Sequence, residues 1–243
     1  MKIYNAVLEL GRDCNADCPH CLRGPKQHRK LSNAQIDVFF DRVTSIDCLT
    51  LTGGEPSLYA RTIQYALNSA IAHSVTIEHV YVKTNALSIS KAFVDAMLAW
   101  WEHLTKDVQY KWIEWDYPPV QVIWSCDEYH DFPKDIAMLS GLSFAKPEHK
   151  NEFEPRMGLI AEGNAQDWSA AREHRPETFE IDEDCITEGS IYLNAKGNIV
   201  AGCDWSYQSQ DMIEHIICHV SELTIEKVQE YMYLTFGGAT CNN

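Results

Sequence analysis

The hydrophobic positions change period several times along the chain. Residues Ile3 to Glu9 are apolar and β-rich and read as a first strand. Ser32 and Gln35, three apart, then make a capping box, and Ile36, Phe39, Phe40 and Val43 recur behind it at helical spacing. Leu49 and Leu51 end a short strand that meets Gly53-Gly54-Glu55-Pro56, after which Ile63, Ala66, Leu67, Ala70 and Ile71 predict a second helix. A third strand, Ile77 to Val82, ends in Thr84-Asn85. The helix after it is capped by Ser90 and carries Phe93, Val94, Met97, Trp101 and Leu104 on its apolar face. Val120 to Trp124 is a fourth strand ending in Ser125-Cys126-Asp127, and a weaker one over Met157 to Ala161 ends near Glu162-Gly163.

Strands alternating with helices at this spacing predict βαβ units and a parallel sheet. The notable loops all fall at strand C-termini, which is the ligand-binding edge of such sheets. The pattern changes near Pro176, where an acidic stretch from Glu177 to Asp184 leads to Cys185. Beyond it, Ile191-Tyr192-Leu193 and Ile199-Val200 flank a turn at Lys196-Gly197, and a last helix carries Ile225, Val228, Tyr231 and Met232. The expected organisation is a core over residues 1–176 and a short hairpin-plus-helix extension over residues 177–243.

Composition narrows the classes. The 243 residues carry 20 Lys+Arg against 35 Asp+Glu, a net charge of -15, which repels a phosphate backbone and argues against a polynucleotide partner. No apolar run approaches the ~18 residues of a membrane span, and the opening residues lack the apolar region of a signal peptide. The expectation is a cytoplasmic protein with no membrane partner. Nine cysteines, an odd count in a reducing compartment, do not suit a disulfide framework.

Three of those thiols lie within eight residues, Cys14-Asn15-Ala16-Asp17-Cys18-Pro19-His20-Cys21, in the loop after the first strand. Zinc bound there wants a fourth ligand, which His20 or His28 could supply, although zinc sites more often pair two separated knuckles. Three thiolates alone suit an iron–sulfur cluster with one iron open to another ligand. Packed free thiols are the remaining alternative.

The C-x3-C-x2-C run after strand one, together with Gly53-Gly54-Glu55-Pro56 at the end of strand two, resembles the radical S-adenosylmethionine (radical SAM) superfamily. That resemblance implies a partial (β/α)6 TIM barrel with a short α+β C-terminal extension. It also implies a 4Fe-4S cluster on Cys14, Cys18 and Cys21, chelated at its fourth iron by S-adenosylmethionine. Gly53, Gly54 and Glu55 would meet the methionine ammonium. Thr84-Asn85 resembles the family's Thr-Asn-Gly, with Ala86 in place of the glycine, and Ser125-Cys126-Asp127 resembles its Ser-x-Asp near the ribose. Glu162-Gly163-Asn164-Ala165 matches a Gly-Arg-Ala segment weakly, and His20 would pack near the adenine. Glu9, Tyr129, His130, Arg156, Arg172 and Asp204 are candidates to face a substrate, and Cys48 and Cys126 are read as small packed side chains.

Four further cysteines, Cys185, Cys203, Cys218 and Cys241, lie in the tail. Cys185 and Cys203 bracket Gly197 much as Twitch and SPASM extensions do, but with five residues rather than four after the glycine and no closing Cys-x2-Cys. A second iron–sulfur cluster and a cluster-free extension are both open readings of this group. The resemblance implies reductive cleavage of S-adenosylmethionine to a 5'-deoxyadenosyl radical that takes hydrogen from a peptide side chain or small molecule. Electrons would come from a flavodoxin- or ferredoxin-type reductant. A 7-carboxy-7-deazaguanine synthase-like enzyme, a glycyl-radical-enzyme activase and a non-catalytic iron–sulfur module are the rival readings.

Overall fold

The computed structural model describes residues 1–106, 118–126, 135–149, 159–167, 171, 174 and 176–237. Its strands are β1 (Lys2–Glu9), β2 (Ser45–Thr52), β3 (Thr76–Thr84), β4 (Val120–Cys126), β5 (Ala145–His149), β6 (Glu180–Asp182), β7 (Cys185–Leu193), β8 (Asn198–Ala201) and β9 (Ile216–His219). The helices are α1 (Asn33–Arg42), α2 (Ala60–Ala72), α3 (Lys91–Thr105), α4 (Ile136–Leu139) and α5 (Ile225–Phe236). All nine strands join one sheet in the order β5-β4-β3-β2-β1-β7-β8-β9, with β6 on β7.

β1 to β5 run parallel, as the βαβ pattern predicts, and among the described residues each connection from β1 to β4 contains one long helix. Ser32 caps α1 in a full capping box, and Ser90 caps α3. Leu8, Leu49, Leu51, Val80, Val82, Val120 and Val122 meet Phe39, Phe40, Ile63, Ala66, Phe93 and Met97 in one apolar core. On α3 the fully buried indole is Trp100. Trp101 is half-buried and stacks on Phe144 at 4.9 Å, so the helix face lies one residue from its expected position.

Strand period places the alternate residues on the opposite face of the sheet, where polar side chains gather beside the buried Val7 and Ile123. It carries Cys48 and Thr50 from β2, Tyr81 and Lys83 from β3, Gln121 and Ser125 from β4 and Glu148 from β5, with Lys83 and Glu148 ion-paired. Cys48 is therefore half-buried among polar neighbours rather than packed in the core.

Two features depart from expectation. A fifth parallel strand lies at Ala145–His149, where the apolar signal is interrupted by Lys146, Pro147 and Glu148. Of the weaker strand expected over 157–161, residues 157 and 158 lie outside the described residues, and Ile160 makes a single bridge. β7 pairs parallel to β1 over Lys2–Leu8, so the sheet continues past residue 176, and the hairpin strand β8 extends it.

Candidate active site

β1 delivers the chain into the cysteine loop through a neck zipped by backbone bonds. Arg12 N–H donates to Arg29 O at 2.8 Å, Gln27 N–H to Arg12 O at 3.1 Å and Leu31 N–H to Leu10 O at 3.1 Å. Cys14, Cys18, His20 and Cys21 all sit half-buried on the loop that this neck closes. Cys21 N–H donates to Cys18 O at 3.2 Å, which folds the second and third cysteines into one turn. Asn164 clasps that turn from outside, its backbone N–H on Cys21 O and its side-chain amide on Cys18 O, both at 2.9 Å. The clasp needs Gly163, whose φ is 57° and where a Cβ would collide with the carbonyl oxygens of Cys21 and Leu22. Gly163→Ala is expected to cost about 1–3 kcal/mol, because neither backbone can yield, and to be read as a lower urea midpoint at unchanged slope.

The Cys14 sulfur accepts from Ala16 N–H at 3.4 Å and from the Asn85 side-chain amide at 3.8 Å. Burial pushes the Cys14 thiol up and the charges of Glu55 and Cys21 add to this, while the Ala16 amide opposes it. Binding iron there must displace a proton from sulfur. Among the described residues, no three His, Cys, Asp or Glu side chains converge on one point as a single metal ion requires.

β2 ends beside the loop. Gly54 N–H donates to Gly11 O at 2.9 Å and Glu55 N–H to Asp13 O at 3.0 Å. A Cβ on Gly53 or Gly54 would strike the carbonyl oxygen of Gly11 or Asp13, so these glycines are needed for strand-to-loop contact within the protein. The Glu55 carboxylate, 1% exposed, bridges two strand ends. Its Oε1 accepts from Ser57 N–H at 2.9 Å and the Thr84 hydroxyl at 2.5 Å, and its Oε2 accepts from Asn85 N–H at 2.8 Å. Of the about four acceptor sites of a carboxylate, one on Oε2 remains.

At the end of β3, Asn85 turns its side chain to Asn15 Oδ1 at 2.9 Å as well as to Cys14, and Ala86 stands at a left-handed φ of 50°. Ser125 is buried on the polar face near the end of β4. Asp127, Tyr129, His130, Arg156, Arg172 and Cys241 lie outside the described residues, as does the Cys126 side chain. The structure thus brings Cys14, Cys18, His20, Cys21, Gly53, Gly54, Glu55, Thr84 and Asn85 to one corner of the sheet. The segment Glu162-Gly163-Asn164-Ala165 is matched only weakly in the sequence; what the structure adds is the clasp by Asn164 on the cysteine turn, signalled by the glycine before it, which requires a close approach.

No protein-family model matches the sequence, and no curated protein matches it. In three dimensions the chain superposes on native anSMEcpe, a radical SAM enzyme, with bound AdoMet and the Kp18Cys peptide. The TM-score is 0.54, with 11% identity over 97% of this chain and 84% of that one. The same protein with bound AdoMet alone gives 0.53 at 10% identity over the same shares. The chain shares the fold of that enzyme.

In that fold the C-terminal segment is bolted to the cysteine loop from behind. Glu9 and Arg12, both with side chains 0% exposed, pair at 2.6 Å. Glu9 also accepts from the Tyr192 hydroxyl at 2.7 Å and from Ala195 N–H at 2.9 Å in the hairpin turn. Arg12 reaches Gln27 at 3.0 Å and Gln210 at 2.9 Å, and Arg23, just past Cys21, donates to Trp205 O while its guanidinium lies over the Tyr192 ring. Glu9 is therefore a structural anchor and does not face a substrate. Glu162, expected at the cofactor, accepts from Ser206 N–H at 3.0 Å and the Ser209 hydroxyl at 2.8 Å, and so ties its own turn to the same segment.

The tail cysteines lie among different neighbours. Cys185 opens β7 opposite Lys2, whereas Cys203 follows Gly202, whose N–H donates to Ser190 O at 3.1 Å. The stretch of β7 from Cys185 to Ser190 measures about 16 Å at the usual rise per residue. Cys203 sits beside Asp204 at 3.7 Å and Glu177 at 4.0 Å; burial first, and then these carboxylates, push its thiol up to about 12. Cys218 is buried in β9 across from Ile199. These three thiols are not gathered, because each is fixed by a different strand position.

Proposed function

We propose that this chain is a radical SAM enzyme that acts on a peptide. The observation that carries the reading is the three-cysteine loop closed against β1, with the spare acceptor of Glu55 beside it at the C-terminal edge of a parallel sheet. The likeness in fold to a protein whose structure holds both AdoMet and a peptide supports the choice of substrate class.

Cys14, Cys18 and Cys21 would hold a 4Fe-4S cluster. When bound, that cluster supplies the electron that cleaves S-adenosylmethionine to methionine and a 5'-deoxyadenosyl radical, with a flavodoxin- or ferredoxin-type protein as the source. The chain's own residues do the rest. The free site on Glu55 Oε2 accepts the methionine ammonium in a charge-assisted hydrogen bond. Asn85 steadies Cys14 and Asn15, and Asp127 meets the ribose hydroxyls. The polar face with Thr50, Tyr81, Lys83 and Ser125 lines a partial (β/α)6 barrel and receives the side chain that loses hydrogen. The hairpin and α5 form a Twitch-like extension.

Anaerobic reconstitution with iron and sulfide, reduction, and assay for 5'-deoxyadenosine tests this reading. Cluster absorbance with S-adenosylmethionine-dependent 5'-deoxyadenosine supports it, and neither appearing overturns it. Glu55→Gln should weaken S-adenosylmethionine binding by about 10-fold or more, the value of a charge-assisted bond, measured by equilibrium dialysis on the loaded protein. An unchanged affinity would remove Glu55 from the site.

A further inference from the structure

Asp13, the residue before Cys14, is gripped by both ends of one short turn. Past the end of β2, Glu55 caps a single 3-10 turn over Pro56–Tyr59 by accepting from Ser57 N–H. From the near end of that turn, Glu55 N–H donates to Asp13 O at 3.0 Å. From the far end, the Tyr59 hydroxyl accepts from Asp13 N–H at 2.8 Å and donates to Asp13 Oδ2 at 3.3 Å. His28 Nδ1 meets the other carboxylate oxygen at 2.5 Å.

Both ends of the turn are themselves seated. Tyr59 is buried, and its ring lies so close to the backbone at Gly11 that a Cβ there would stand 2.3 Å from it. Glu55 is anchored by Ser57, Thr84 and Asn85 and keeps one acceptor on Oε2 for a ligand. One hydrogen-bonded unit thus joins that spare acceptor to the residue from which the chain enters Cys14.

The geometry points to Tyr59 as a positioning residue that fixes Cys14 relative to Glu55, so that the two halves of the S-adenosylmethionine site keep one spacing before the ligand arrives. The inference rests on the proposed function, in which one molecule reaches both the open iron and Glu55. A ligand with two points of attachment binds less tightly when the spacing between them is loose, because that spacing must then be ordered at the moment of binding. Cluster uptake depends on Tyr59 far less. The three cysteines share one loop, and the turn that carries Cys18 and Cys21 is held separately by Asn164.

The test measures S-adenosylmethionine binding by equilibrium dialysis on the reconstituted proteins. Tyr59→Phe keeps the ring against Gly11 and removes only the hydroxyl. It should take up as much iron as wild type and bind S-adenosylmethionine about 5-fold more weakly, the value of one neutral hydrogen bond. In a Glu55→Gln background the same substitution should cost far less, because the second point of attachment is already weakened. That coupling is the readout that a loss of stability alone would not move. An unchanged affinity, an equal cost in both backgrounds, or loss of iron from Tyr59→Phe each overturns the inference alone. In loaded wild type without S-adenosylmethionine the Asp13 amide should already resist hydrogen exchange, and rapid exchange there overturns the inference without any variant. Failure of wild type to take up a cluster or to bind S-adenosylmethionine overturns the functional reading, and this inference with it.

Discussion

Cys18→Ala is expected to abolish cluster loading and 5'-deoxyadenosine formation together. Two sulfurs cannot replace three around a cluster that must keep one iron open, so the loss should be complete rather than graded. Cys18 is half-buried in a turn that is held by backbone bonds from Cys21 and Asn164, and those bonds do not use its thiol. The metal-free variant should therefore melt within about 0.5 kcal/mol of the parent, as substitutions outside special packing sites usually do. Iron content, visible absorbance and product by chromatography are the readouts. Cleavage that survived the substitution would show that the loop does not hold the catalytic cluster.

The second large effect concerns stability. Glu9→Leu leaves the Arg12 guanidinium inside the protein without its close carboxylate, and is expected to cost about 3–5 kcal/mol. Asp211 Oδ2, at 3.6 Å, is too distant to replace a 2.6 Å pair. Arg12→Met should be comparably harmful, because Glu9 would then keep only the Tyr192 and Ala195 donors. The double variant should be far less damaged than the sum of the two, since it removes both charges at once. Urea unfolding of the four proteins closes the cycle. An additive result would mean that the two groups do not interact in solution.

Much of the N-terminal half is legible because periodicity and capping agree there. Ser32 and Gln35 form the capping box their spacing predicts, and Leu49 and Leu51 point at the helices as alternation requires. The strand-end motifs were equally readable, since Gly53-Gly54-Glu55 and Thr84-Asn85 occupy positions where a strand gives way to a loop. What stayed hidden was long-range. Glu9 alternates correctly for a residue facing a cavity, and nothing local announces that Tyr192 and Ala195, distant in sequence, will fill its carboxylate. Likewise β5 carries Lys146, Pro147 and Glu148, a poor strand signal that pairing with β4 overrides. The tail cysteines mislead for a related reason. Their clustering in sequence says little about distance once β7 separates Cys185 from the neighbourhood of Cys203.

The pairing of β1 with both β2 and β7 bears on how the protein is made. During synthesis β1 emerges first and can join β2 early, but its other side stays an open edge until residue 193 has left the ribosome. Closing that edge demands contacts of high sequence separation, which form slowly and leave an aggregation-prone intermediate in the meantime. A chain cut at residue 176 would keep that edge bare for good, so residues 1–176 should not be obtainable as a well-behaved separate piece.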